Sequence, residues 1–531
     1  MNKSLPTERP AQTVTEILEA QSKDKSHGRF GLTPSLTRLY LLLAPACLVI
    51  CATNGYDGSV LTGLQGIERW RSQFGDPKGA LLGITTAALP LGSIVSTPFS
   101  AWLSDRWGRR SSILVGSFIM IIGVILQCVS TTIGAFLGGR MIIGFGVTMA
   151  LTAGPILISE LAHPRHRVFF SSLYNTSFYL GALMAGWITF GSWPLEGPWA
   201  WRLPTLFQAA PACVQMCFVW FLPESPRWLL FCDRSDEAYK TLATYHGAGN
   251  WEDPLVRAEF WEMKETLMAE KATKGAGPGI FLKTPANRKR LLILITLAVF
   301  GQWSGNGLVS YYLTKILTSI GITTQGEQTM LNGTIATVNY ATALISALMA
   351  NKLGRRQMFV GGAIAMFISF SSLTASLAVY NETGSNAASK SALAFIFIYF
   401  ACYNVCLNPL IFVYPVEVLT YKQRATGLSI FLFVMKTASV FNQFVNPMGM
   451  DGLGWKFYLV YCCWLLVEIT IFYFLYPETK GYTLERMQEV FGDDVKFDCP
   501  EEQAAIVGNL DEAPEKLSIK DDSDNNVEKA G

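Results

Sequence analysis

Twelve predominantly apolar stretches, each near the 20 or so residues that a helix needs to cross a bilayer, succeed one another along the chain with short polar interruptions. They fall near 39–62, 81–104, 111–131, 135–158, 168–190 and 203–222, and then near 291–317, 331–351, 357–379, 392–416, 426–447 and 455–476. The pattern predicts an all-α membrane protein with twelve transmembrane helices. A first six-helix half over 38–222 and a second over 291–491 are separated by the polar stretch 223–290. That stretch holds amphipathic pieces such as Glu259 to Met268 and predicts a linker with short surface helices. Residues 1–37 and 492–531 are polar and are expected to be disordered tails. From Asp493 onward the second tail carries twelve Asp and Glu against four Lys. The N-terminal tail has no apolar core of a signal peptide, so the first apolar helix is expected to serve for targeting.

Composition sharpens this picture. Half of the 531 residues are hydrophobic and only 15% are charged, against about a quarter in a soluble protein. A net charge of +2 without a long basic block gives no reason to expect a nucleic-acid partner. The eleven cysteines fall mostly inside apolar runs, and the four histidines complete no ligand set with them. No disulfide framework and no metal site is therefore expected. No nucleophile, base and metal set stands out, which argues against an enzyme.

The charges that interrupt the apolar runs are placed with a sense. Arg106, Arg109 and Arg110 follow segment 2, Arg165 and Arg167 follow segment 4, Lys352, Arg355 and Arg356 follow segment 8, and Lys422 and Arg424 follow segment 10. All these connections lie on the same side as both tails, so that side is expected to be cytoplasmic. Asn381-Glu-Thr is a glycosylation sequon, expected in the outward-facing loop between segments 9 and 10.

The two halves repeat one another. Asp105-Arg-Trp-Gly-Arg-Arg110 recurs as Asn351-Lys-Leu-Gly-Arg-Arg356, the Glu160 and Arg167 pair recurs as Glu417 and Arg424, and Pro223-Glu224 recurs as Pro477-Glu478. The offsets are 246, 257 and 254 residues. Two six-helix halves related by a pseudo-twofold axis along the membrane normal form a transporter architecture, with the site between them at the midplane.

Ionisable residues sit inside apolar segments, among them Asp57 within Asn54-Gly-Tyr-Asp-Gly58, Lys436 in segment 11 and Glu468 in segment 12. Such residues cost roughly 2.5–3.5 kcal/mol on insertion scales and mark function by default. Lys436 is read either as a ligand for a substrate oxygen or carboxylate, or as the partner of Glu468.

Over about 36–490 the chain resembles the sugar-porter branch of the major facilitator superfamily. The motifs are Asp105-Arg-Trp-Gly-Arg-Arg110, Pro223-Glu-Ser-Pro-Arg-Trp228, Pro477-Glu-Thr-Lys-Gly481 and Gly301-Gln-Trp-Ser-Gly-Asn-Gly-Leu-Val-Ser-Tyr-Tyr312. Within the branch, Tyr174-Asn-Thr with Tyr179-Leu-Gly181, and the form of the segment 7 motif, are similar to fungal lactose-permease-like transporters. The resemblance implies the major facilitator fold and a functional monomer in a lipid bilayer, with a plasma-membrane location expected. No cofactor is expected, with protons as the coupling ion.

The resemblance also implies roles. Glu160, Glu224, Glu417 and Glu478 would meet Arg109, Arg110, Arg167, Arg355, Arg356 and Arg424 as a latch between the halves, with Asp105, Gly108, Arg227 and Gly354 completing the gating motifs. The alternative is a solvated rim of pairs worth about 0–1 kcal/mol each. Asn351 stands where the family has Asp, which would weaken the second latch. Asn175, Gln302, Asn306 and Asn339 would bind sugar hydroxyls, because an amide both donates and accepts. Tyr311, Tyr312 and Phe412 would supply apolar faces. Asn175, Gly301 and Phe412 replace larger family residues, so a disaccharide such as lactose or cellobiose is expected ahead of a hexose or an acidic sugar. Asp57 would pair with Arg140 to carry the proton, and a static pair in a facilitator is the alternative. Export of a metabolite and sugar sensing without transport remain other uses of such a fold.

Overall fold

The computed structural model describes residues 14, 16–17, 33–272, 279–350, 353–480 and 490–491. All twelve predicted segments are helical. In the first half, α1 is Pro34–Gln65, α2 Gly79–Trp107, α3 Arg109–Val129, α4 Ile133–Leu161 and α5 Arg167–Ser192. α6 runs as Trp199–Phe207 and Ala209–Val219. In the second half, α7 begins at Pro285–Trp303, α8 is Gln325–Ala350, α9 Arg355–Thr383, α10 Asn386–Cys406, α11 Tyr421–Leu453 and α12 Phe457–Leu475. Among the described residues, eight helical stretches are long and apolar enough to cross a membrane, one of them covering both α11 and α12. Apolar side chains such as Phe118, Ile125, Ile368 and Val460 face outward as a lipid-facing belt requires.

Packing follows the sequence repeat. α1 lies on α5, α2 on α4, α3 on α4 and α6; correspondingly α7 lies on α11, α8 on α10, α9 on α10 and α12. The halves meet through α2 against α11 and α5 against α8, again a symmetric pair of contacts. Small residues let backbones touch inside the first half. A Cβ on Gly55 would strike the carbonyl of Phe178, one on Gly181 that of Ala52, one on Gly92 that of Met141 and one on Gly144 that of Leu89. In the second half, Gly301, Gly305, Gly307 and Gly362 face side chains first: Ile411, Phe370, Asn442 and Cys406. Between halves, Gly83 abuts the Phe444 carbonyl and Gly186 abuts Gly333.

Three departures from the sequence reading have physical causes. Segment 7, read as one helix, breaks at Ser304–Gly305, where Gly305 takes φ +101°, and resumes as Asn306–Tyr311 and Leu313–Ser319. Segment 10 likewise stops at Cys406 and resumes as Val413–Val418, with Pro409 in the interruption. The sequon residue Asn381 lies in the last turns of α9, which runs to Thr383, and not in a loop; its side chain is exposed.

The linker forms three helices, Pro226–Phe231, Ser235–Tyr245 and Pro254–Ala272, packed around Tyr239 and Phe260, then Ile280–Lys283 ahead of α7. α7 thus starts earlier than the sequence placed it. Within the N-terminal tail, Ile17 is buried against Leu255 and Ala258, where disorder was expected. Apart from residues 14, 16 and 17, the tail before Thr33 lies outside the described residues, as do the C-terminal tail from 492 and Asn351 and Lys352.

Candidate functional site

A cavity of about 300 Å³ lies between the halves. Asn54, Thr86, Arg140 and Asn175 reach it from the first half; Gln302, Asn306, Tyr311, Phe412 and Lys436 reach it from the second. Six of the eight substrate residues expected from sequence therefore share one wall. The break in α7 is what presents Gln302 and Asn306. It frees backbone carbonyls inside the bundle, and side chains of α10 and α11 satisfy them. Tyr403 donates to the Gly301 carbonyl at 2.9 Å, Tyr399 to that of Ser304 at 2.7 Å and Asn442 Nδ2 to that of Gln302 at 2.5 Å.

Two expected ligands fall elsewhere. Tyr312 is fully buried, and its hydroxyl bonds the Gln443 carbonyl at 2.5 Å and Thr86 at 2.6 Å. Its ring is packing between α2 and α11 and offers no face to a sugar. Asn339 lines a smaller adjoining cavity of about 120 Å³ and accepts from Asn404 at 3.0 Å. Asn404 in turn accepts from Tyr179 at 2.8 Å, so the chain of bonds ties α5 to α10 and α8. The room expected at Gly301 is also taken, since a Cβ there would strike Ile411.

Asp57 is fully buried, as is Arg140 almost. Arg140 and Gln208 face the carboxylate, with no hydrogen bond to either Asp57 oxygen within 3.5 Å and no ion pair to Arg140 within 4.0 Å. Arg140 reaches the cavity wall and Asp57 sits behind it. The other expected ion pair does not form. Both Glu468 oxygens lie against the Ser304 hydroxyl, at 3.0 and 2.9 Å, while Lys436 turns to the cavity.

The gating motifs form one arrangement twice. Glu224 accepts from the Arg109 and Arg110 amides at 3.1 and 3.2 Å, and Glu478 from the Arg355 and Arg356 amides at 2.8 and 3.1 Å. Each carboxylate caps the N-terminus of a helix, α3 or α9, where free N–H groups and the dipole favour an anion. Gly108 and Gly354 are where a Cβ would collide with that carboxylate. Burial raises the Glu224 pKa; at Glu478, burial is outweighed by four backbone N–H groups that hold it below the usual range.

Glu160 meets Arg109 at 3.9 Å and the Ser225 hydroxyl; Glu417 meets Arg355 at 3.1 Å and the Thr479 hydroxyl. Asp105 reaches Arg109 at 3.4 Å, and Arg227 is exposed. These partners belong to one half or to the segment following it, so in this conformation they do not latch the halves together. Arg167 meets Glu259 of the linker at 3.7 Å and not Glu160, and Arg424 donates to the Val416 carbonyl.

The same end holds a linker dock. His246 Nδ1 is 2.6 Å from Glu259, its Nε2 is 3.2 Å from the Leu161 carbonyl, and its ring lies 5.3 Å from that of His163. Burial works against a charge on His246, but Glu259 raises its pKa above the ordinary value. Burial and then His246 push His163 down to about 3.

Among the described residues, hydrogen bonds between the halves lie at mid-depth or at the end away from the basic loops. Thr62 donates to the Ser310 carbonyl at 2.8 Å, Gln65 to that of Tyr311 at 3.0 Å, Gln325 to Glu68 at 2.8 Å and the Gly79 amide to Asp451 at 2.8 Å. The conformation is closed at that end.

Sequence reasoning missed Asn54, Asn408, Ser439 and Gln443, all on the cavity wall. A signal existed for two of them: Ser439 and Gln443 follow Lys436 by three and seven residues, one helical face. Asn408 sits in the unwound part of α10, where periodicity carries no information.

Solved structures share the fold. The partially occluded inward-open xylose transporter XylE from E. coli matches with a TM-score of 0.70 at 21% identity, covering 85% of this chain and all of that one. Its inward-open form matches with a TM-score of 0.70 at 22% identity, covering 86% and 99%. The fold is therefore that of the major facilitator superfamily, in a multi-pass membrane protein. The model of the family described as sugar (and other) transporter matches residues 42–491, and the chain belongs to that family. Relatives include an MFS-type transporter, criB, of Aspergillus cristatus, 29% identical over 85% of this chain and 94% of its own length. A high-affinity glucose transporter of Kluyveromyces lactis is 26% identical over 87% and 86%. The family is one of transporters and not of enzymes, as the sequence indicated. The likeness to lactose-permease-like transporters in particular has no counterpart among these relatives.

Proposed function

We propose that this chain imports a sugar of hexose size by proton symport, exposing one central site alternately to the two sides of the membrane. The observation that carries the reading is the buried Asp57, faced by Arg140 and without a hydrogen bond to either oxygen, placed behind a cavity walled by amides from both halves. A carboxyl in that setting gains or loses a proton as its distance from Arg140 changes. The amides exchange hydrogen bonds with sugar hydroxyls, and Phe412 and Tyr311 offer apolar faces.

The relatives support a sugar, one being named a glucose transporter and a fold neighbour a proton:xylose symporter. Size favours a monosaccharide over the disaccharide expected from sequence. The cavity lies at the low end of the roughly 300–1,000 Å³ of small-molecule pockets, and Ile411 fills the space beside Gly301. The end carrying the basic loops is read as cytoplasmic, with both tails there, in a plasma-membrane monomer.

The test is uptake of labelled glucose and galactose by the purified protein in liposomes. Accumulation under an inward proton gradient, lost on adding a protonophore, is expected. Equilibration without accumulation overturns the symport, and uptake of neither these sugars nor their uronates overturns the transport reading.

A further inference from the structure

We propose that the preferred substrate is a sugar acid whose carboxylate is received by Lys436 while the cavity amides hold its hydroxyls. This rests on the sugar-porter reading above and narrows its substrate class.

Lys436 stands on the cavity wall, half-buried, in α11. No described protein acceptor bonds its ammonium, and no charged side chain stands close enough to act on it. Glu468, the nearest expected partner by sequence, is engaged with Ser304. The other cation on the wall, Arg140, is faced by Asp57. The described wall therefore carries one uncompensated cation and no carboxylate. Holding an unpaired ammonium away from bulk water is costly unless an anion meets it. An ammonium has three donors and no acceptor, and a carboxylate is acceptor-only, so the two match where a neutral hydroxyl matches less well.

The neighbours suit the remainder of such a molecule. Ser439 and Gln443 lie on the same face of α11, with Gln302 and Asn306 on the broken helix and Asn175 across the cavity. A hexuronate has nearly the volume of the parent hexose, so it needs no extra room. Energetics change with the charge: one proton carried with one monoanion moves no net charge, whereas one proton with a neutral sugar moves one.

The test compares D-galacturonate, its methyl ester and D-galactose, which share a ring and differ at C6, in liposomes with the purified protein. Galacturonate is expected to half-saturate at a concentration at least about tenfold lower than the other two. Lys436→Gln is expected to abolish that preference, since truncating one partner of a desolvated charge pair costs roughly 30-fold or more in affinity, while Lys436→Arg keeps most of it. Thermal unfolding of both variants establishes that they are folded. A membrane potential imposed without a pH gradient is expected to accumulate galactose and not galacturonate. Transport of galactose with no preference for galacturonate, or an unchanged preference in a folded Lys436→Gln, overturns the sugar-acid inference and leaves the porter reading intact. Uptake of none of the three overturns both.

Discussion

Replacing Asp57 by Asn separates the proton from the sugar with little change of shape. No hydrogen bond reaches either Asp57 oxygen within 3.5 Å, and the amide keeps one oxygen facing Gln208, so little is forfeited. What it removes is one titratable group and the charge opposite Arg140. A proton gradient of one unit, with the membrane potential held at zero, is worth about 1.4 kcal/mol per proton, or tenfold in concentration. The wild-type protein in liposomes is expected to concentrate its sugar about tenfold under that gradient, whether or not the sugar is charged. Asp57→Asn is expected to bring the ratio to one while exchange of labelled for unlabelled sugar continues. A buried Arg140 left without its counter-charge can cost up to about 3–5 kcal/mol of stability, so unfolding is measured on the same preparation. A folded variant that still accumulates sugar tenfold refutes the assignment of the proton to Asp57.

Two glycines at equivalent motif positions should respond unequally. Gly108 has φ +94°, Gly354 φ −69°. Gly108→Ala is expected to cost about 1–3 kcal/mol in backbone strain in addition to displacing Glu224, whereas Gly354→Ala disturbs only the Glu478 cap, about 1 kcal/mol. Equal drops in thermal midpoint would sink the argument. At the linker dock, His163 resists in the folded state a proton that the unfolded chain accepts at about 6.5, so the stability it contributes is full above that pH and is lost progressively toward pH 3. Between pH 7.5 and 5 the loss reaches up to about 2 kcal/mol, and His163→Asn should remove that part of the slope; an unchanged slope counts against it.

The helices were legible because a bilayer imposes length and apolarity on every span, and the register of the repeat was legible because its acids and arginines recur at nearly one offset. The breaks in α7 and α10 were not. Gly305 and Pro409 are ordinary in a membrane segment, and the side chains that satisfy the freed carbonyls, Tyr399, Tyr403 and Asn442, come from distant parts of the chain. Tyr312 was misplaced for a related reason: motif position names a helix face, and the break in α7 rotates the turns that follow it, whereas Asn339, in the unbroken α8, is taken up by Asn404 from α10. Lys436 and Glu468 looked like a pair by depth alone, but depth does not say which way a side chain turns. The acids and arginines of the loops were legible as a recurring set, but their partners were not: Arg167 turns to Glu259 and Arg424 to the Val416 carbonyl. Which half each served needed coordinates, because both halves present the same residues at the same end.

The glycine contacts imply a division of stiffness. Where backbone rests on backbone, at Gly55 and Gly181 between α1 and α5 and at Gly92 and Gly144 between α2 and α4, no side chain intervenes to change rotamer, so those points resist sliding. The second half has flexible atoms at the matching contacts and two helices already interrupted. The first half then serves as an anvil and the second as the part that yields. Gly83 on Phe444 and Gly186 on Gly333 become two smooth points of contact between them, and the side-chain bonds beside them, Tyr312 to Thr86 and Tyr179 to Asn404, are what must disengage when the halves roll.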